Sequence, residues 1–106
     1  MARSVAGTVS ETKATRTIVV NNPQGLHARP AELFATLAMQ FEATIEVVKD
    51  DQRVNAKSIL NILTLAVEAG TELKLEAVGS DADAALEALV QLVEDDFSSD
   101  ETISED

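Results

Sequence analysis

Cysteine, tryptophan and tyrosine are absent from the 106 residues, and histidine occurs once. Without cysteine there is no disulfide and no thiolate metal site, a composition that suits a reducing cytoplasm. One histidine leaves the chain short of the ligands a catalytic zinc needs, so no metal and no cofactor is expected. Phenylalanine is the only aromatic type, three residues in all, which leaves the core to aliphatic residues and alanine. Two prolines and four glycines are too few for a low-complexity chain, and the length suits one small domain. The N-terminus lacks the apolar run of a signal peptide, and no stretch is long enough to span a bilayer. The expectation is a cytoplasmic protein without membrane insertion.

Positive charge is also scarce. Eight Lys and Arg stand against nineteen Asp and Glu, a formal net charge of −11. By segment, residues 1–17 carry about +2, 18–93 about −6 and 94–106 about −7. A phosphate-backbone surface needs clustered Lys and Arg, so nucleic-acid binding is disfavoured. Acidity of this kind steers a protein towards basic docking faces, or simply keeps it soluble. For the C-terminal tail, solubility is the simpler reading.

Residues 1–15 have no sustained period and read as a flexible arm. Arg16 to Val20 reads as a strand, and its nearly continuous Ile18-Val19-Val20 run suggests a central one. Helix one is expected over about Ala28 to Gln40, with Ala31, Phe34, Leu37, Ala38 and Phe41 facing a sheet. Leu33 and Met39 lie off that stripe, where they either widen the buried face or meet a partner; widening is preferred. Thr44 to Lys49 and Arg53 to Asn55, joined by a polar turn, read as a hairpin at a sheet edge. Ser58 then opens a helix with the apolar stripe Ile59, Ile62, Leu63 and Ala66, closed by Gly70, while Leu60 points away. Thr71 to Val78 alternates cleanly and reads as a half-buried strand. The last helix follows Ser80 or Asp81 as cap, with Asp83 in its first turn and Ala82, Leu86, Leu89, Val90 and Val93 on its inner face. Asp96 to Asp106 is acidic and reads as a disordered tail. The expected organisation is an arm at 1–15, a domain at 16–95 and a tail at 96–106. The order β-α-β-β-α-β-α, with a half-polar sheet, implies a two-layer, open-faced α/β (α+β) sandwich with three helices on one face.

The densest motif is Asn22-Pro23-Gln24-Gly25-Leu26-His27-Ala28-Arg29-Pro30. The first four residues have turn composition, and Pro30 suits a first helical turn, where its missing N–H costs nothing. His27 therefore falls at a helix N-terminus, beside unpaired amides and the positive end of the helix dipole. With Arg29 two residues on, this is a candidate site for phosphate or another anion, containing a titratable nucleophile. The competing reading is a solvated cap residue.

The run Gly25-Leu26-His27-Ala28-Arg29-Pro30 resembles the active-site signature of HPr, the histidine-containing phosphocarrier family of the bacterial phosphoenolpyruvate:sugar phosphotransferase system. Asn55-Ala56-Lys57-Ser58-Ile59-Leu60 resembles the segment holding that family's regulatory serine. The resemblance extends from about Thr17 to Phe97 and implies four antiparallel strands in the order 1-4-2-3. It implies that His27 is phosphorylated on Nδ1 with Arg29 assisting, and that Ser58 is the serine a dedicated kinase modifies. A phosphate on Ser58 would place about two negative charges on a face whose partners arrive carrying phosphate, with Lys57 as a partial offset. His27 and Ser58 would share that face, the N-termini of helices one and two both approaching it, although neither residue need touch the other. The implied partners are a phosphorylated donor, enzyme I, sugar-specific enzyme IIA domains, and a serine kinase/phosphorylase. The chain would be a monomeric phosphoryl-transfer intermediate rather than a turnover enzyme. The alternatives are a nitrogen-branch paralogue and a non-catalytic regulatory adaptor read through Ser58. An acyl carrier fits less well, because Lys57-Ser58-Ile59 is not the Asp-Ser-Leu-like setting its prosthetic group needs.

Overall fold

Alternation of burial along the strands fixes how the layers meet. The computed structural model describes residues 12–97. It contains β1 (Lys13–Val20), α1 (Ala28–Ala38), β2 (Thr44–Lys49), β3 (Gln52–Asn55), α2 (Ile59–Thr64), β4 (Thr71–Val78) and α3 (Ala82–Glu94). The four strands form one antiparallel sheet in the order β1-β4-β2-β3. Ala14, Ile18 and Val20 of β1, Ile45 and Val47 of β2, and Leu73, Leu75 and Ala77 of β4 are buried. Their neighbours on the other face are half-buried or exposed, so only one face carries the core. The helices cover that face with Ala31, Phe34, Ala35 and Ala38 from α1, Ile62 from α2, and Ala85, Leu86, Leu89 and Leu92 from α3. The result is the expected open-faced sandwich. Among the described residues, no helix is long and apolar enough to cross a membrane.

The structure corrects several local expectations. β1 lies at an edge of the sheet and pairs with β4 alone, although its apolar run suggests a central strand. Val19 points to the open face and is 45% exposed. The strand also starts at Lys13, so residues 13–15 belong to the sheet rather than to an arm. Residues 1–11, the rest of the expected arm, lie outside the described residues.

Helix α2 stops at Thr64, well before Gly70. Ala66 takes a positive φ of 52° and its N–H returns to Leu63 O, so it ends the helix in the left-handed conformation usually left to glycine. Leu65 and Val67 turn inward instead, Ala66 is exposed, and Ile59 is 38% exposed. Gly70, at φ 88°, sits in the turn before β4.

The end of α3 follows the same rule. Asp96 N–H donates to Val93 O and Phe97 N–H to Leu92 O, the paired bonds of a Schellman motif with aspartate in the glycine position. Asp96 and Phe97 both have positive φ, and Phe97 is folded back to only 6% exposure. Asp96 and Phe97 are therefore structured, and the remaining nine residues of the expected tail lie outside the described ones.

Asp81 stands at the N-cap of α3, but its carboxylate makes no bond to its own helix. It accepts instead from the backbone N–H groups of Glu42 and Ala43 at 2.9 and 2.8 Å, clamping the α1–β2 connection. The bond from Glu42, above all, holds the carboxyl below the usual aspartate range, and the Ala43 N–H adds to it against a desolvation penalty. A depressed folded-state pKa means the clamp stabilises above the unfolded pKa and is lost as pH falls through the folded one. Asp81→Ala should lower Tm by about 5 °C at neutral pH, with the difference from wild type shrinking in acid. Thermal unfolding by circular dichroism across that range checks it, and a pH-independent difference would contradict the charged clamp.

Candidate functional site

The loop between β1 and α1 is held by backbone bonds at each step. Gly25 N–H donates to Asn22 O at 3.0 Å, and Asn22 Nδ2 donates to Gly25 O at 2.7 Å. Leu26 N–H donates to Val67 O at 3.0 Å, joining the loop to the segment after α2. Gly25 has φ 67°, and a Cβ there would collide with Val67 O. Glycine is thus required twice at this position, for its backbone angle and for the close approach.

Two residues on, His27 is the N-cap of α1, with extended backbone at φ −89° and ψ −165°. Its carbonyl accepts the first helical bond, from Ala31 N–H at 2.9 Å. Its side chain makes no capping bond and is exposed. The first amides of a helix lie outside its own hydrogen-bond ladder, and the first turn of α1 carries no acidic residue. Pro30 is buried in that turn. Arg29 is exposed and its guanidinium lies 3.4 Å from the Glu32 carboxylate, one turn along. Pairs this exposed contribute little to stability.

A cleft of about 280 Å³ opens over this helix start. His27, Arg29 and Asn22 line it from one side, and Phe97 with Asp96 line it from the far end of the chain. Sequence reasoning missed Phe97. Its signal was a bulky aromatic residue standing alone in an acidic run, but nothing local showed that the chain would double back. Leu33 is half-buried and also lines the cleft, while Met39 is 57% exposed and does not widen the buried face as expected.

Ser58 is the N-cap of α2 and its Oγ accepts from Asn61 N–H at 3.2 Å. This is the expected capping role. Lys57 is engaged elsewhere: its Nζ donates to Phe41 O at 2.7 Å, beyond the C-terminus of α1. The start of α2 therefore sits against the end of α1, while the exit of α2, at Val67, sits against the entry to α1, at Leu26. The two helices run antiparallel. Their N-termini therefore point in opposite directions, and His27 and Ser58 are not neighbours. His27 and Ser58 lie at opposite ends of the pair. Around Ser58 the surface is apolar, with Leu60 74% exposed beside Ile59.

The family model described as "PTS HPr component phosphorylation site" matches residues 14–95. The chain belongs to the HPr family. Among curated relatives, the phosphocarrier protein HPr of Treponema pallidum is 43% identical over 77% of this chain and 93% of its own. The phosphocarrier protein NPr of Shewanella violacea is 41% identical over 81% of this chain and 94% of its own. The crystal structure of HPr-C-His from Thermoanaerobacter tengcongensis superposes with a TM-score of 0.79 at 47% identity, covering 80% of this chain and 96% of that one. The HPr fold thus accounts for the sandwich, its strand order and the helix that opens at His27.

Proposed function

We propose that His27 accepts a phosphoryl group from phosphorylated enzyme I and passes it to a sugar-specific enzyme IIA. The observation that carries this reading is the exposed, unbonded imidazole at the N-terminus of α1, in an open cleft beside the Arg29 guanidinium. A carrier needs exposure rather than a closed substrate pocket, because two different proteins must reach the same nitrogen in turn.

In the accepting step, the Nδ1 lone pair of His27 forms a new N–P bond while the donor's P–N bond breaks in line with it. The electron pair of the broken bond returns to the donor ring, which carries a proton on its other nitrogen and leaves as neutral imidazole. His27 keeps its own Nε2 proton, and this makes it a neutral leaving group when the acceptor attacks the same phosphorus. Amides of the first turn and the Arg29 guanidinium hold the three equatorial oxygens as their charge shifts. Serine or threonine would trap the group, since an alkoxide is a far poorer leaving group than imidazole.

Incubation with phosphoenolpyruvate and enzyme I should add one phosphoryl group, stable to base and lost in acid. A modified protein whose phosphate survives acid would refute the phosphohistidine. Arg29→Ala tests the supporting cation. Its side chain is exposed and outside the core, so stability should stay within about 1 kcal/mol of wild type. Transfer from enzyme I should slow more than tenfold, and unchanged kinetics would remove Arg29 from the mechanism.

In the same proposal, Ser58 is a regulatory phosphorylation site for a serine kinase. A second reading has one observation in its favour: the similarity to NPr is as close as that to HPr relatives. The chain then serves the nitrogen-related branch. Offering the phosphorylated protein to acceptor domains of both branches separates the two, the faster acceptor identifying the branch.

A further inference from the structure

Asn22 takes no part in the transfer step above, yet it holds the backbone from which His27 projects. The Gly25–Leu26 peptide unit is pinned at both polar ends. Asn22 Nδ2 donates to its carbonyl at 2.7 Å, and its N–H donates to Val67 O at 3.0 Å. The Asn22 carbonyl also accepts from Gly25 N–H at 3.0 Å, so this one residue engages both backbone groups of Gly25. Downstream, the backbone of His27 is held through Ala31 N–H, but its imidazole makes no capping bond. The direction in which the ring leaves the chain is therefore set by the pinned peptide before it.

A second observation separates Asn22 from an ordinary turn asparagine. Its Oδ1 is buried and has no hydrogen-bond partner among the described residues, while the residue itself contributes to the wall of the His27 cleft. A buried acceptor without a donor is costly to the fold. Turning the amide over does not help, because Oδ1 would then face the Gly25 carbonyl oxygen. A shorter or apolar side chain would avoid the penalty and keep the turn bond, which belongs to the backbone. Asn22 is thus poorly explained as a stabilising residue.

We infer that Asn22 is a positioning residue for phosphoryl transfer, acting through the Gly25–Leu26 peptide to hold His27 in the orientation from which Nδ1 attacks in line. This deepens the reading of His27 as phosphoryl acceptor and rests on it. Asn22 touches neither the phosphorus nor the partner. Its removal frees the Gly25 carbonyl, broadens the orientations of the imidazole and reduces the fraction poised for attack.

Phosphoramidate, a small-molecule phosphoryl donor to histidine, reads the site without any docking surface. Wild type, Asn22→Ala and Asn22→Asp should be compared for phosphorylation rate and for Tm. Asn22→Ala should react about fivefold or more slowly, with Tm within about 3 °C of wild type, because the lost bond is offset by the lost orphan acceptor. Asn22→Asp keeps the size, loses the donor and sets a carboxylate against the Gly25 carbonyl, so it should be at least as slow. With enzyme I as donor, Asn22→Ala should lower kcat at unchanged KM. Wild-type rates in both variants would overturn the inference while leaving the carrier intact. A fall in Tm beyond about 10 °C with a matching loss of rate would make Asn22 a structural turn residue and also overturn it. Failure of wild type to gain phosphate at His27 would defeat the carrier reading and this inference together.

Discussion

His27→Ala should abolish acid-labile phosphorylation, a loss of at least a thousandfold in transfer, while leaving the fold intact. The two halves of that result have separate causes. Chemically, there is no substitute: His27 is the only imidazole in the chain, and cysteine is absent. Any phosphate that forms on a serine or threonine would be acid-stable and would not be passed on. Structurally, the side chain is exposed and makes no capping bond, and the first helical bond comes from its backbone carbonyl, which alanine retains. The change in stability should therefore stay within about 1 kcal/mol, the ordinary range for a surface substitution. Mass spectrometry after incubation with phosphoenolpyruvate and enzyme I, with and without acid treatment, reads the first half. Denaturant unfolding reads the second. Acid-labile phosphate on the variant would show that another group carries the function, and a collapse in stability would show that the imidazole has a packing role the structure does not contain.

What was legible in the sequence is what local chemistry determines. Thr71 to Val78 alternates because β4 is buried on one face and open on the other, so its pattern can be read without knowing its neighbours. Gly25, His27, Arg29 and Pro30 are likewise local, since a turn followed by a helix start places them together. Errors came where a remote contact decides. β1 resembles a central strand because Val19 is apolar, although it lies on the open face of an edge strand. The ends of α2 and α3 carry Ala66 and Asp96 in left-handed conformations where glycine is the usual signal, so neither stop was visible. Phe97 joined the cleft for the same reason. Asp81 reads as an ordinary cap, whereas its carboxylate is held by amides about forty residues away in the chain. The antiparallel pairing of α1 with α2 is also non-local, and it matters most for function because it separates His27 from Ser58.

That separation changes how phosphorylation of Ser58 should act. His27 and Ser58 stand at opposite ends of the paired helices, and the screening length is about 8 Å at physiological ionic strength. Direct repulsion between the two phosphates is therefore weakened there and is stronger near 0.01 M salt, where the length is about 30 Å. Lys57 offers little neutralisation while its ammonium holds Phe41 O. The local surface is apolar, with Leu60 and Ile59 exposed next to the cap, and about two negative charges placed there would have to be desolvated beneath any partner covering that patch. Phosphorylation should thus inhibit transfer from enzyme I more than tenfold, with only part of the inhibition relieved by salt. Ser58→Asp carries one charge and should inhibit less. Neither change should alter the helix content, because the Ser58 cap involves a single bond to Asn61 N–H. Transfer rates for unmodified, Ser58→Asp and Ser58-phosphorylated protein, each at low and physiological salt, decide the matter. Equal rates would leave Ser58 as a helix cap alone. Inhibition that vanishes completely at physiological salt would restore the long-range charge explanation and remove the docking contact at Leu60. A Leu60→Ala variant gives an independent check, since a partner seated on this patch loses affinity for the unmodified carrier when that side chain is cut back. Its KM for enzyme I should rise severalfold with phosphoramidate reactivity unchanged.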